Sequence, residues 1–307
     1  NRFKDTVDEE FLIDSASLVQ LDLSSNLLTG QGLPHHFFAY PNLKVLDLSD
    51  NQINGTIQDV HIRKHPMEFL SLSNNSLTGT LPTTIAYLRS LRHLDLTGNN
   101  LSGDIPSTLG YIPSLNYLFL SENDWTPGPM PMFLSEMSNL RELGLRATNR
   151  TGSLSSQWFE RLQLLELFDI SNNKMTGSIP SLLLTNSHLH YVLLNRNDFD
   201  GELPIEDIDS NLEVLFLDKN RVTGNLTGIC TGSNISIVAD CADDEIVCDC
   251  CHCCADSDEM CNSYAWYMNE EFLWENNYTR TGYAFSPGLL MPKTKGRHSQ
   301  GIQVNHV

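Results

Sequence analysis

The chain has 307 residues, with 38 Asp and Glu against 19 Lys and Arg, a formal charge of −19. That balance lacks the basic footprint that nucleic acid requires and argues against docking on an anionic membrane surface. The apolar fraction of 40% is that of a folded chain, yet no stretch approaches the roughly 18 apolar residues of a membrane span, so no direct membrane insertion is expected. The sequence opens at Asn1 without an initiator Met and reads as a fragment or a processed form, so the lack of a leader carries no weight.

Residues 1–17 hold no complete repeat and no cysteine, and are read as an N-terminal flank. From residue 18 to about residue 228 one pattern recurs, L-x-x-L-x-L-x-x-N. It starts at Leu18, Leu43, Met67, Leu91, Leu115, Leu140, Leu165, Leu189 and Leu212, with spacings of 23 to 25 residues. Leucines two apart, such as Leu94 and Leu96, face the same side of a short strand, and one strand cannot bury that side alone. Stacking the units gives a parallel sheet with neighbours about 4.8 Å apart, and so about nine strands. The ninth position is Asn26, Asn51, Asn75, Asn99, Asn123, Thr148, Asn173, Asn197 and Asn220. There the chain turns inward, and an amide that both donates and accepts can satisfy the buried backbone of successive turns. Thr148 lacks that amide, which predicts a local irregularity.

The second half of several units carries L-x-G-x-[IL]-P, as in Leu77 to Pro82, Leu101 to Pro106, Met175 to Pro180 and Phe199 to Pro204. Glycine permits the bend, and proline ends the extended stretch in favour of a short helical turn at Thr83-Thr84-Ile85 or Ser107-Thr108-Leu109. This signature resembles the plant-type leucine-rich repeats of receptor-kinase ectodomains and polygalacturonase-inhibiting proteins. The resemblance implies an α/β repeat solenoid, a curved right-handed horseshoe with a loop-rich convex side. Two units depart from it, at Gly30 to Pro34 and at Trp125 to Pro131, where three prolines interrupt the convex segment. The paired-cysteine N-terminal cap usual in that family is missing from the flank.

The period stops after Leu226, and residues 229–262 hold every cysteine: Cys230, Cys241, Cys248, Cys250, Cys251, Cys253, Cys254 and Cys261. A disulfide-laced cap would cover the last repeat with few apolar residues, the connectivity remaining open. The rival is a metal cluster, because Cys250-x-x-Cys253 and Cys251-x-x-Cys254 have zinc-ligand spacing around His252. Seven glycosylation sequons, at Asn54, Asn74, Asn100, Asn149, Asn225, Asn234 and Asn277, favour disulfides and an extracellular or cell-surface location. The cysteine run, followed by Trp266, Trp274, Tyr278, Arg280, Tyr283 and Phe285, resembles the C-terminal extension of diatom leucine-rich-repeat proteins, which implies a receptor-like protein. Residues 263–307 then form an aromatic segment and a polar tail, disorder being predicted from Pro287 onward.

No phosphate-binding glycine loop, G-x-S-x-G or kinase signature occurs, and neither enzyme activity nor a cofactor is expected. His61-x-x-x-His65 lacks the Glu of a zinc protease and is followed by Pro66, so no metal site is predicted there. The aspartates Asp22, Asp47, Asp95 and Asp169 recur with the repeat itself and form no unique constellation. The x positions of the strands are the better candidates, since they point away from the core. Early units offer Ser24, Ser49, Ser71 and Ser73; Phe69 and His93 begin a ring column that later units continue. The predicted ligand face is Tyr117, Phe119, Arg141, Glu142, Arg146, Tyr191 and Arg196, rings and guanidinium groups of the kind that dominate interfaces. The expected partner is a protein, peptide or glycan, with inhibition of a wall-degrading enzyme as the alternative.

Overall fold

The computed structural model describes residues 4–8, 10–11, 17–204, 211–230, 235–241, 245–254 and 303–306. Each of the nine repeats contributes one inner strand: Leu18–Asp22, Val45–Asp47, Phe69–Ser71, His93–Asp95, Tyr117–Phe119, Glu142–Gly144, Leu167–Asp169, Tyr191–Leu193 and Val214–Phe216. Consecutive strands pair in parallel, so Tyr117 lies between His93 and Glu142, and Leu167 between Glu142 and Tyr191. Leu94, Leu96, Leu118, Leu120, Leu143 and Leu145 point to the other side and join one continuous core.

The inner sheet is longer than the repeats predict. Two more parallel strands, Ser236–Ala239 and His252–Cys253, extend it inside the cysteine region. Ile237 and Ala239 take up core positions that leucines hold elsewhere, and this smaller pair hides the coil from a leucine pattern. The described cysteines here are disulfide-bonded, as Cys230–Cys250, Cys241–Cys253 and Cys248–Cys251, with Cys254 bonded as well. Cys261 lies outside the described residues, as does most of the stretch from Pro287 for which disorder is predicted. Within that stretch Gln303–His306 form a strand, antiparallel to Leu18–Asp22 at the opposite end of the sheet.

Behind the inner sheet the second halves form a further row of short strands, divided into two sheets. One runs from Thr6–Val7 to Asp124–Trp125 and the other from Thr151–Gly152 to Ile246–Val247. The prolines start short helical turns as the signature predicts, at Thr83–Tyr87 and Ser107–Tyr111. Among the described residues only Gln157–Arg161 and Ser181–Leu184 are α-helical.

The asparagine column supplies the turn chemistry. The Asn123 amide donates to Leu120 O at 3.3 Å and Ser121 O at 3.1 Å in its own unit, and to Leu96 O at 2.9 Å one unit earlier. Its Oδ1 accepts the Leu101 N–H at 2.9 Å. Asn51, Asn75, Asn99, Asn173 and Asn197 repeat the scheme. Thr148 keeps one of these bonds, its Oγ1–H donating to Leu145 O at 2.6 Å, but has no donor for Leu120 O one unit earlier. The indole N–H of the buried Trp125 donates to that carbonyl instead, at 2.9 Å. Beside it the buried Arg150 guanidinium donates to Thr148 O at 2.9 Å, to Pro129 O at 3.3 Å and to Thr126 O. The irregularity predicted at Thr148 is thus where the outer row divides, with Gly128 and Arg150 joined by an isolated bridge.

Candidate functional site

The pleat sorts the side chains of each inner strand between the core and the concave surface. Position three of the repeat runs along that surface as Gln20, Val45, Phe69, His93, Tyr117, Glu142, Leu167, Tyr191 and Val214. Position five runs beside it as Asp22, Asp47, Ser71, Asp95, Phe119, Gly144, Asp169, Leu193 and Phe216.

Tyr117 and Phe119 stand where the sequence reading puts them, and they belong to a longer ring ladder. Phe69 and His93 stack with centroids 4.4 Å apart, and His93 lies 6.0 Å from Tyr117 and 5.7 Å from Phe119. Phe119 has room because Gly144 stands opposite it; a Cβ there would meet Phe119 Cδ1 at 2.7 Å. Glu142 is buried beside Tyr117, and burial followed by the Glu142 and Glu166 charges pushes the Tyr117 hydroxyl pKa up. Tyr191 stands two strands further on. Its hydroxyl donates to Glu213 at 2.9 Å, and burial together with that carboxylate raises its pKa.

The three arginines are not presented as isolated cations. Arg141 pairs with Glu166 and Arg146 with Glu122, each on a neighbouring coil. Arg146 also acts on the half-buried Asp169, whose carboxyl is pushed up by desolvation while the guanidinium opposes that shift. Arg196 acts in the same way on Asp218, which burial and the adjacent Asp240 push up to about 6. The arginines therefore offset neighbouring carboxylates on both sides of the strands, Arg141 before its strand and Arg146 and Arg196 beyond the ends of theirs, and at Arg141 and Arg146 a ligand would meet a paired fork. The recurring aspartates are occupied in their own turns: Asp22, Asp47 and Asp169 each accept the backbone N–H and hydroxyl of the serine two residues on. Asp95 accepts the Thr97 N–H at 3.0 Å. His61 is exposed and His65 buried, the His65 Nδ1 accepting the Met67 N–H, so their spacing makes no common site.

Sequence reasoning puts Tyr191 and Phe216 on the concave face but leaves their apolar neighbours Leu193, Val214 and Val238 out of the ligand set. Leu193, Val214, Phe216 and Val238, with Tyr191 at the margin, form an apolar cluster separate from the core, and Cys254 packs into it. The signal was available, since apolar residues at positions three and five have no place in the core. Of the sequons, Asn54, Asn74, Asn100 and Asn225 are exposed, whereas Asn149 is half-buried with its amide donating to Trp125 O at 3.2 Å. Asn234 and Asn277 lie outside the described residues.

Leucine-rich-repeat family profiles match residues 67–124 and residues 42–60 and 164–186. None of the curated proteins compared with it matches the chain. Among solved structures it is similar to the plant peptide hormone receptor RGFR1 in complex with RGF2, at 25% identity and a TM-score of 0.68, over 78% of this chain and 38% of that one. It is also similar to the LRR ectodomain of the plant membrane receptor kinase GASSHO1/SCHENGEN3 from Arabidopsis thaliana, in complex with Casparian strip integrity factor 2. The identity there is 26% and the TM-score 0.67, over 80% of this chain and 32% of that one. A leucine-rich-repeat protein of Leptospira interrogans matches at 30% identity and a TM-score of 0.61, over 73% and 54%. The chain thus spans between a third and about half of these proteins.

Proposed function

Because the chain is a leucine-rich-repeat solenoid, we propose that it is a recognition module that binds an extended peptide across its inner sheet, outside the cell or at its surface. The observation that carries this reading is the pair of non-polar patches on one face, the ring ladder Phe69, His93, Tyr117 and Phe119 and the apolar cluster at Leu193, Val214 and Phe216, with Glu142, Gly144, Leu167 and Asp169 on the two strands between them. An extended chain crossing the strands can set side chains against successive rows about 4.8 Å apart, and rings supply most of the contact energy in such interfaces. Two of the similar structures are receptors in complex with another molecule, one of them a peptide hormone receptor, and leucine-rich-repeat folds typically serve as ligand-binding modules. Disulfides at the C-terminal end support an oxidising compartment. Inhibition of a wall-degrading enzyme rests on the L-x-G-x-[IL]-P signature alone.

The test is selection from a library of random peptides on the purified chain, followed by calorimetry on variants. Tyr117→Ala and Phe216→Ala are each expected to weaken a selected peptide by about 1–2 kcal/mol or more. Arg146→Ala is expected to cost as much when Glu122 is left unpaired at the contact. Selected peptides that bind all of these variants as well as the parent would refute the assignment of the face.

A further inference from the structure

The cations of this acidic chain are unevenly neutralised. Lys44 and Arg92 share Glu68, and Arg141, Arg146, Arg161 and Arg221 each have a carboxylate from a neighbouring coil. Arg63, Lys64 and Arg89 are exposed and make no ion pair among the described residues. They stand on two adjacent convex loops, residues 58–66 and 82–90, which lead into the inner strands Phe69–Ser71 and His93–Asp95. The one acid of these loops, Asp59, accepts the Thr84 hydroxyl at 2.7 Å. Asp47 and Asp95 end their inner strands and Asp50 follows one, so these acids lie at the other end of the strands from the loops. Flanking segments add no charge, because residues 23–43 and 105–121 contain no Asp, Glu, Lys or Arg.

Local geometry holds these cations ready. The Arg63 guanidinium lies 5.0 Å from the centroid of the Tyr87 ring, and one of its N–H groups donates to the Tyr87 hydroxyl at 3.4 Å. That stack keeps the fork at the surface in a fixed orientation. Lys64 has a φ of +84°. Most non-glycine residues with such angles directly precede the column asparagine, as Asp50 and Asn74 do, and Lys64 does not. An ammonium is kept at a backbone angle that suits glycine, a strain of the kind that clusters at ligand clamps. One coil further on, Tyr111 ends its helical turn as Tyr87 ends the turn before it, and it is 71% exposed.

We propose that this patch binds a sulfated polysaccharide that runs across the coils from Lys64 to Tyr111. A sulfate presents three oxygens, so one group accepts from the Arg63 fork and the Lys64 ammonium together. A sugar ring lies against the open face of Tyr111, whose apolar body carries a polar tip. A polymer that repeats its anionic group along its length meets Arg89 on the next coil in the same way. Neither loop contains a strand, so a peptide backbone finds no edge to pair with there. The net charge of −19 repels polyanions at a distance, but at physiological salt that field is screened beyond about 8 Å, and the local cations decide the contact. Each exposed contact is weak, so affinity comes from several made along one chain. The site is separate from the inner face and stands whether or not that face binds a peptide.

The test uses the full chain, with dextran sulfate on a sensor surface and dextran of the same length as the uncharged control. Binding to dextran sulfate alone is expected, and it should weaken steeply as salt is raised. Arg63→Ala combined with Arg89→Ala should weaken it by about ten-fold or more. Lys174→Ala, an exposed lysine on a distant coil, should leave it unchanged. Lys64→Gly keeps the fold out of question, since glycine suits the angle: thermal stability should hold or rise while binding falls several-fold. Absence of binding to dextran sulfate, equal binding to dextran, or a Lys64→Gly chain that binds like the parent overturns the proposal. So does equally strong binding of anionic phospholipid vesicles or polyglutamate that also depends on Arg63 and Arg89, because the patch would then read charge alone.

Discussion

The exchange of roles between Thr148 and Trp125 can be tested by a double-mutant cycle. In a regular unit the carbonyl of the sixth position accepts two amide donors, one from its own Asn and one from the Asn of the next unit, as Leu96 O does from Asn99 and Asn123. Leu120 O has Asn123 at 3.3 Å and, in place of the second amide, the Trp125 indole at 2.9 Å. Trp125→Phe removes that N–H and part of a fully buried ring. The lost hydrogen bond is worth about 1 kcal/mol and the cavity about 1–2 kcal/mol more, for an expected cost of about 2–3 kcal/mol. Thr148→Asn alone should cost about 1 kcal/mol, because the new amide finds Leu120 O taken by the indole and must fit a fully buried site. In the Trp125→Phe background the same amide can make the bond that every other unit makes. The double variant should then be more stable than the sum of the two costs by about 1–2 kcal/mol. The assay is urea denaturation followed by circular dichroism. Hydrogen exchange of residues 118–126 should accompany it, because repeat arrays need not unfold in one step. Additivity to within about 0.5 kcal/mol would show that the two residues do not share the carbonyl.

Three further outcomes follow from the face and the surface. Asp218 has its carboxyl pushed up to about 6, so the folded state holds more proton than the unfolded chain between its ordinary value and 6. Stability should therefore fall as pH rises through that window. Asp218→Asn should be more stable than the parent by about 1–3 kcal/mol at pH 7, with the advantage gone below about pH 4, and parallel stability–pH curves would contradict this. Gly144→Ala should cost about 1 kcal/mol or more in denaturation and swing Phe119 outward, seen as higher radical labelling of that ring; unchanged stability and labelling would mean the contact is slack. In protein made through a secretory pathway, glycopeptide mass spectrometry should find glycans at Asn54, Asn74, Asn100 and Asn225 and none at Asn149, whose amide is committed to Trp125 O; occupancy at Asn149 would show that this bond is dispensable.

Much of the fold was legible because the inner turn repeats with little variation. Leucine-type residues at near-constant spacing mark every strand from Leu18 to Phe216, and the asparagine column marks every turn except the one at Thr148. What escaped has identifiable causes. The coils at Ser236–Ala239 and His252–Cys253 use Ile, Ala and disulfides where the repeats use Leu, so a leucine template passes over them. Thr148 announced a defect, but its repair by Trp125 joins residues 23 apart through an indole that no Asn template includes. Of the three predicted rings, Tyr117 and Phe119 stand in one ladder with Phe69 and His93, while Tyr191 stands apart from it, bonded to Glu213. The arginine half reads differently, because Glu122 and Glu166 lie one coil away from Arg146 and Arg141. A separation of 24 or 25 residues is a direct contact in a solenoid, though it is remote in a linear reading.

The spacings between units vary from 23 to 25 residues, yet the parallel strands of the inner sheet pair without a shift. Among the described residues the one register shift between parallel strands falls in the outer row, between Gln31 and Leu33. Length differences are absorbed behind the sheet, where the chain has slack, and not across the face. A duplication or loss of one whole coil would add or remove one row of surface side chains and leave every remaining row in alignment. A single residue inserted between the first leucine and the Asn of a unit would move that row's side chains to the opposite surface. Descendants of such a gene can therefore lengthen or shorten the recognition strip in steps of about 4.8 Å without redesigning it.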